Sequence, residues 1–257
     1  MVELKTPAEI EELARGGAII GELFRELEGR VEPGVSTLQL DSFAEEFIRS
    51  NPGAVPVFKG LYGFPGSLCT SINEEIVHGI PSATRVLDEG DIISLDVGIK
   101  LDGWCSDSCR TFPVGEISPD KARLLAVTRE ALERAIEAAV CGGHIGDIGH
   151  AVESVVEGTG FAIVRDLVGH GVGRTVHEDP QVPNRGEPGK GLELREGMVL
   201  AIEPMIAIGT HRIRTLSDKW TMVTTDGSPS AHFEHTVALT TEGPRVLTGE
   251  VSSVSAQ

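Results

Sequence analysis

Two aspartates, Asp96 and Asp107, flank Leu101-Asp102-Gly103, a strong hairpin-turn signal between strand-like stretches at 91–100 and 104–112. A turn centred on Leu101-Asp102 sets the two aspartates directly opposite on antiparallel strands, whereas a turn centred on Asp102-Gly103 makes them diagonal neighbours. In either register two carboxylates converge. On a half-buried hairpin they repel and take up protons unless a cation lies between them. The plainer alternative is a pair of solvated aspartates on a strand face.

Three more residues ask for the same kind of partner. His170 lies in Gly169-His170-Gly171-Val172-Gly173, where glycines suit a backbone that must approach something closely, and neutral imidazole is a common transition-metal ligand. Glu203, in Ala-Ile-Glu-Pro-Met, and Glu234, in His-Phe-Glu-His-Thr-Val-Ala-Leu, each read as embedded in an apolar strand. An ionised carboxylate is costly there unless a charge compensates it. No Lys or Arg is embedded in a comparable strand, so a metal is the economical partner. Four carboxylates and one imidazole can hold two divalent ions at the ~3.5–4 Å separation of two-metal hydrolases. Such an oxygen-rich set is unlike thiolate-rich structural zinc, and Mn, Fe, Co and Zn are all chemically acceptable to it.

The elements that must position these residues recur in order. Thr6-Pro7-Ala8-Glu9 supplies a capping box and opens a helix to about Glu28, with Ile10, Leu13, Leu23, Phe24 and Leu27 toward the core. Ser36 and Gln39 cap a second helix, stopped by Asn51-Pro52-Gly53. About 112 residues on, Ser118-Pro119 opens a third helix ending near Cys141-Gly142-Gly143, and a shorter one runs from about Ile145 to Glu157. Strand-like stretches follow each pair, at 198–204 and 232–240 in the second half, and 180–197 is Gly/Pro/Glu-rich and expected as surface loop. The expectation is one catalytic domain, 1–257, made of two pseudo-symmetric α/β halves, about 1–117 and 118–257, with a site between them.

Composition narrows the function. In 257 residues, 22 Lys+Arg against 39 Asp+Glu give a net charge of −17, so nucleic acid and anionic membrane would be repelled, and neither is expected as a direct partner. A chain this long can bury a sufficient core without a disulfide framework or a structural metal, so a metal would serve chemistry. Cys69, Cys105, Cys109 and Cys141 contain no C-x-x-C pair and are expected as free thiols. The start lacks a basic and apolar secretory signal, which points to the cytoplasm.

Six ordered stretches resemble the type I methionine aminopeptidases: Asn73-Glu-Glu-Ile-Val-His78-Gly-Ile-Pro81, Leu95-Asp96-Val-Gly with Asp107 beyond it, Gly-His170-Gly-Val-Gly, Thr-Val-His177-Glu, Ile-Glu203-Pro-Met and Phe-Glu234-His-Thr. The resemblance extends over nearly the whole chain. It implies the pseudo-two-fold pita-bread fold of the creatinase and aminopeptidase class, an α/β (α+β) structure with a central antiparallel sheet flanked by helices. It also implies removal of the initiator methionine ahead of a small second residue. Asp96, Asp107, His170, Glu203 and Glu234 would ligate two divalent ions, and Glu203 would also shuttle the proton. His78 and His177 would contact the substrate amide without ligating. Asn73, Glu75 and Ser230 match positions that hold a monovalent cation in the family.

The resemblance builds the methionine pocket from Phe58, Leu61, Phe64, Cys69, His78, Val176, His177 and Trp220. This lining departs from the common bacterial pattern, in which Cys often stands at 58, Tyr at 61 and 64, and an aromatic residue at 176. His144, His150, His211, His232 and His235 receive no role, and alternation turns His235 away from the face of Glu234. The implied partners are nascent N-termini and the ribosome, with the chain acting as a monomer. Two other readings compete: a proline-specific aminopeptidase or prolidase, which shares the fold and the five ligands, and a metal-free peptidase-like binding module.

Overall fold

Each long helix begins where a neighbouring side chain can satisfy its unpaired N–H groups. In a computed structural model of the chain, which describes residues 2–249, helix α1 (Pro7–Glu28) starts at Thr6, whose backbone N–H donates to Glu9 at 2.9 Å while its hydroxyl accepts from the Glu9 N–H at 3.3 Å. Ser36 and Gln39 repeat this reciprocal cap at α2 (Thr37–Ser50). Ser118 caps α3 (Pro119–Ala138), and Asp147 accepts the His144 N–H at the start of α4 (Ile145–Val156). Helix α3 ends three residues earlier than the Cys141-Gly142-Gly143 signal implies; Ala139 already leaves helical geometry.

The strands are short apart from one hairpin. In chain order they are β1 (Ala54–Pro56), β2 (Cys69–Ile72), β3 (Glu75–Val77), β4 (Ile92–Leu101), β5 (Trp104–Pro113), β6 (Ala162–Ile163), β7 (Gly169–Gly171), β8 (Glu178–Val182), β9 (Val199–Ile202), β10 (Met205–Ala207), β11 (Ile213–Thr215), β12 (Met222–Thr224), β13 (Ser230–His232), β14 (His235–Thr240) and β15 (Gly243–Val246). One sheet carries β1 and β2 on one edge of β4 and β5 on the other, and a second runs β15-β14-β9-β7-β8. Two three-stranded sheets, β13-β10-β6 and β11-β12-β3, complete the set, and the described pairings are antiparallel.

Two apolar clusters hold these layers. Ile20, Leu23 and Phe24 of α1 with Leu40 and Ile48 of α2 pack on Ile93, Leu95, Val97 and Ile99, which line one face of β4 at every second position. In the second half, Leu124 and Leu132 of α3 with Ile148 and Val152 of α4 pack on Leu200, Ile202, Val237 and Leu239. Burying such side chains stabilises each by roughly 1.5–3 kcal/mol, which is what fixes the helix pairs to their sheets.

The halves meet along the outer edge of β5 through a seam that mixes backbone and side-chain hydrogen bonds. The Glu234 N–H donates to the Cys109 carbonyl at 2.9 Å, and the Thr236 hydroxyl accepts from the Asp107 N–H and donates to the Asp107 carbonyl. The Ser108 hydroxyl donates to the Glu234 carbonyl, and the Thr111 hydroxyl accepts from the His232 N–H and donates to the His232 carbonyl. Hydroxyls therefore do the work of a missing strand ladder, and the expected central sheet is several sheets stitched together. Part of the segment expected as surface loop, 180–197, is ordered otherwise: residues 180–182 belong to β8, and Val182, Asn184 and Leu194 are buried. Among the described residues no helix is long and apolar enough to cross a membrane.

Candidate metal centre and adjoining cavity

The hairpin settles the first pairing. Leu101 lies opposite Trp104, so Asp102-Gly103 forms the two-residue turn, and both have positive φ, 49° and 91°. Asp107 then stands opposite Gly98 and Asp96 opposite Cys109, so the two aspartates are diagonal neighbours on one face. Cys69 of β2 flanks Asp96 from the other side. That face is turned away from the α1–α2 core and toward the second half.

His170 is placed by β7, opposite Ala201 of β9. A side chain on Gly169 would strike the Ala201 carbonyl, and one on Gly171 the Asp179 carbonyl, each near 2 Å. The flanking glycines therefore let β8 and β9 close in on both sides of the imidazole. The Gly171 carbonyl can only accept, so Nδ1 of His170 carries the proton in their 2.9 Å contact and Nε2 is left with its lone pair facing the acids. Neighbouring Oδ2 of Asp107 and Oε1 of Glu203 lie 3.8 and 3.5 Å from that nitrogen.

Glu203 and Glu234 were expected inside apolar strands; both instead occupy breaks. β9 stops at Ile202, Pro204 interrupts the ladder, and β10 resumes at Met205, while Phe233 and Glu234 separate β13 from β14. At Glu203 the following Pro204 has no N–H to continue the ladder, and at Glu234 the backbone N–H is taken by the Cys109 carbonyl across the seam. The register of β14 with β9, His235 opposite Ile202, brings Glu234 alongside Glu203 one step further on. Asn184 fixes the break by donating from Nδ2 to the Glu203 carbonyl at 3.0 Å. One ligating atom from each of Asp107, His170 and Glu234 falls within 4.8 Å of the others, and Asp96 and Glu203 adjoin the group.

Electrostatics show what this cluster lacks. Burial pushes Asp96 and Glu203 up to about 7, with Glu203 adding repulsion at Asp96 and His170 opposing the rise at Glu203. Burial together with the neighbouring acids holds Asp107 and Glu234 well above the usual carboxylate range. Asp96 Oδ1 and Asp107 Oδ1 are buried with no hydrogen-bond partner. Orphaned acceptors among four crowded acids are costly unless protons or a cation take up their charge, and the donor set fits divalent metal. Burial lowers His170, His78 and His177, favouring neutral imidazoles.

Beside the acids opens a cavity of about 580 Å³. Phe58, Leu61, Phe64, Cys69, His78, His177 and Trp220, all expected from the sequence, line it together with the five donors. Trp220 packs edge-on against Phe64 and His78, with ring centroids 5.2 and 6.4 Å apart. Val176 is the exception: it is buried in the apolar cluster that includes Phe58 and Phe64 and is not part of the lining. Its neighbour His177 turns inward instead, its ring 4.6 Å from that of His170. His78 has a left-handed backbone, φ 61°, costing about 1–3 kcal/mol, and is held there because Gly79 presses against Thr70 with their backbones hydrogen-bonded.

Lys5 anchors the loop carrying His177. Its side chain is almost wholly buried and donates to Glu178 at 2.7 Å, while Glu178 also accepts from the Thr175 N–H. Asn73, Glu75 and Ser230 lie close together: the Ser230 N–H donates to the Asn73 carbonyl at 2.8 Å, and Ser230 Oγ is buried without a partner. The Glu75 carboxylate is already engaged by the Ile72 N–H and Arg85.

Several residues that line the cavity went unassigned in the sequence: Tyr62, Leu167, Gln181, Met205 and His232. For His232 a signal existed, because it shares strand parity with Glu234. It is 2 % exposed, and burial pushes it down to about 4 against the pull of Asp96. His235 is turned away, its Nδ1 bonded to Thr248 at 2.9 Å, as alternation implies. Cys69, Cys105 and Cys109 are buried free thiols and Cys141 is exposed.

A carboxylate and imidazole cluster at the meeting of two antiparallel sheets, beside an apolar cavity, defines a pita-bread metallopeptidase, and residues 11–241 match the model of metallopeptidase family M24. The chain is 52 % identical over 248 residues to a methionine aminopeptidase of Clostridium acetobutylicum, covering 96 % of this chain and 99 % of that protein. It belongs to metallopeptidase family M24 and, within it, to the methionine aminopeptidases. The crystal structure of methionine aminopeptidase from Thermotoga maritima matches with a TM-score of 0.95 at 44 % identity, covering 97 % of this chain and 100 % of that one. Prolidase from Pyrococcus furiosus shares the fold at a TM-score of 0.79 and 23 % identity, with 97 % of this chain covering 66 % of that one.

Proposed function

We propose that the chain removes the N-terminal methionine of nascent proteins and peptides, preferring a small second residue, with Asp96, Asp107, His170, Glu203 and Glu234 holding two divalent ions. The observation that carries the reading is the convergence of these donors, with two carboxylate oxygens left unpaired, at the end of a sulfur- and aromatic-lined cavity. Mn, Fe, Co and Zn all suit the donor set. Bound there, such ions would supply hydroxide at neutral pH and polarise the scissile carbonyl.

The chain's own groups divide the remaining tasks. Phe58, Leu61, Phe64, Cys69 and Trp220 enclose an unbranched thioether, for which aromatic and sulfur contacts are favourable. Glu203, in the cavity wall beside His170, is placed to take the proton from the attacking water and hand it to the leaving nitrogen. His78 and His177 reach the cavity as neutral imidazoles, able to donate to the scissile amide and the developing oxyanion. A free α-amine bound near a metal and the acid cluster would limit cleavage to the terminal residue. Ser230 Oγ, with the backbone oxygens of Asn73 and Glu75, is the set we assign to a monovalent cation.

The proline-specific reading rests on structures below 25 % identity, whose likeness is one of fold. The non-catalytic module is disfavoured by the presence of all five donors. Treatment with a chelator is expected to abolish release of methionine from a Met-Ala-Ser peptide, and added Mn, Co or Fe to restore it. Cleavage of Ala-Pro starts in preference to Met-Ala starts, or activity indifferent to metal, would overturn the assignment.

A further inference from the structure

His232 is a buried imidazole for which the chemistry above has no use. Its backbone is clamped, since the N–H donates to the Thr111 hydroxyl at 2.9 Å and the carbonyl accepts from the same hydroxyl at 2.8 Å. That clamp fixes the ring in the wall of the cavity, where neither Nδ1 nor Nε2 has a hydrogen-bond partner. The nearest acid is Glu203, whose Oε2 lies 3.5 Å from His232 Nε2. The other oxygen of the same carboxylate, Oε1, lies 3.5 Å from His170 Nε2. Glu203 is thus bracketed by two imidazoles, one at each oxygen.

The two rings are prepared differently. His170 has a carbonyl behind Nδ1, the outer-shell partner that fixes a ligating tautomer. His232 has no hydrogen-bond partner behind Nδ1. A ring with no such anchor is free to carry its proton on Nε2, facing the carboxylate.

Resting on the proposed role of Glu203 as proton shuttle, we propose that His232 is a positioning residue: its Nε2–H donates to Glu203 Oε2 and holds the carboxylate in the orientation from which it transfers the proton. His232 ligates no metal in this arrangement.

The test compares the wild type with His232→Ala, His232→Leu and His232→Gln, all loaded with the same divalent ion. It measures kcat and KM on Met-Ala-Ser, and Co²⁺ binding by titration calorimetry. His232→Ala is expected to lower kcat by about 10–100-fold, the usual cost of losing an outer-shell partner, with KM and Co²⁺ stoichiometry unchanged. His232→Gln, whose amide N–H reaches in the same direction, is expected to recover most of the loss. Should the alanine variant fail to fold, His232→Leu fills the space without a donor and carries the same comparison. The proposal is overturned if turnover survives loss of the donor, if glutamine rescues no better than leucine, or if the variants release Co²⁺, which would make His232 a ligand. An inactive metal-loaded wild type would instead sink the aminopeptidase reading itself.

Discussion

The floor and the mouth of the cavity are built on opposite principles. The floor is carried by strands: Asp96 and Asp107 by one hairpin register, His170 by β7, and Glu203 and Glu234 by paired breaks beside β9 and β14. Its polar atoms are buried and some are unpaired, so it is chemically strained while geometrically fixed. The mouth is carried by loops. Phe58 and Phe64 flank a short 3-10 turn, Leu61–Gly63, in which Tyr62 adopts φ 51° and is 79 % exposed, its ring stacked 6.4 Å from His177. Charges that must meet within a few ångströms are placed on elements locked by registers, whereas a surface that only encloses an apolar chain tolerates looser support.

That contrast breaks most visibly if substitutions in the two regions behave alike. His170→Ala is expected to abolish metal binding measured by calorimetry and to lower turnover beyond the roughly 10–100-fold typical of outer-shell changes. His78→Ala is expected to keep the metal and slow turnover; equal metal loss in both would erase the division between ligand and substrate contact.

Lys5 tests how the His177 loop is secured. Removing one partner of a buried ion pair costs about 3–5 kcal/mol, so Lys5→Met is expected to lower the urea midpoint strongly. Lys5→Met combined with Glu178→Met is expected to recover much of it. No recovery would mean that packing, and not the ion pair with Glu178, holds the loop.

The floor also predicts a pH dependence. Asp96 and Glu203 are raised to about 7 in the folded chain, so the folded state binds protons that the unfolded state releases. The stability they contribute in chelated protein is full below about pH 4, the unfolded range of carboxylates, and is lost as pH rises through 7. The urea midpoint of chelated protein should therefore fall relative to that of metal-loaded protein across that window; parallel midpoints would contradict the crowded acid cluster. The smallest effect is expected at the mouth, where Tyr62→Ala should leave metal content unchanged and shift stability by no more than about 0.5 kcal/mol.

How much of this was legible beforehand differs by residue. Capping boxes at Thr6 and Ser36, the Asp102-Gly103 turn and the alternation through β4 are local signals, and they located the helices and the hairpin. Parity that turned His235 away also pointed His232 inward, yet parity does not say which inward ring is left without a partner. Val176 and His177 are adjacent in the chain, and only tertiary packing puts one into the apolar cluster with Phe58 and Phe64 and the other into the cavity lining.

The sequence by itself determined which side chains were too costly to bury alone, because desolvating a carboxylate is a property of the residue and its apolar neighbours. It also determined the helix starts, which depend on side chains three positions apart. The tertiary structure alone decided that Glu203 and Glu234 sit in strand breaks, that Thr111, Thr236 and Ser108 stitch the halves together, and that Lys5 reaches Glu178. Those outcomes depend on distances between segments far apart in the chain, more than a hundred residues for the seam and for Lys5, which no local spacing encodes.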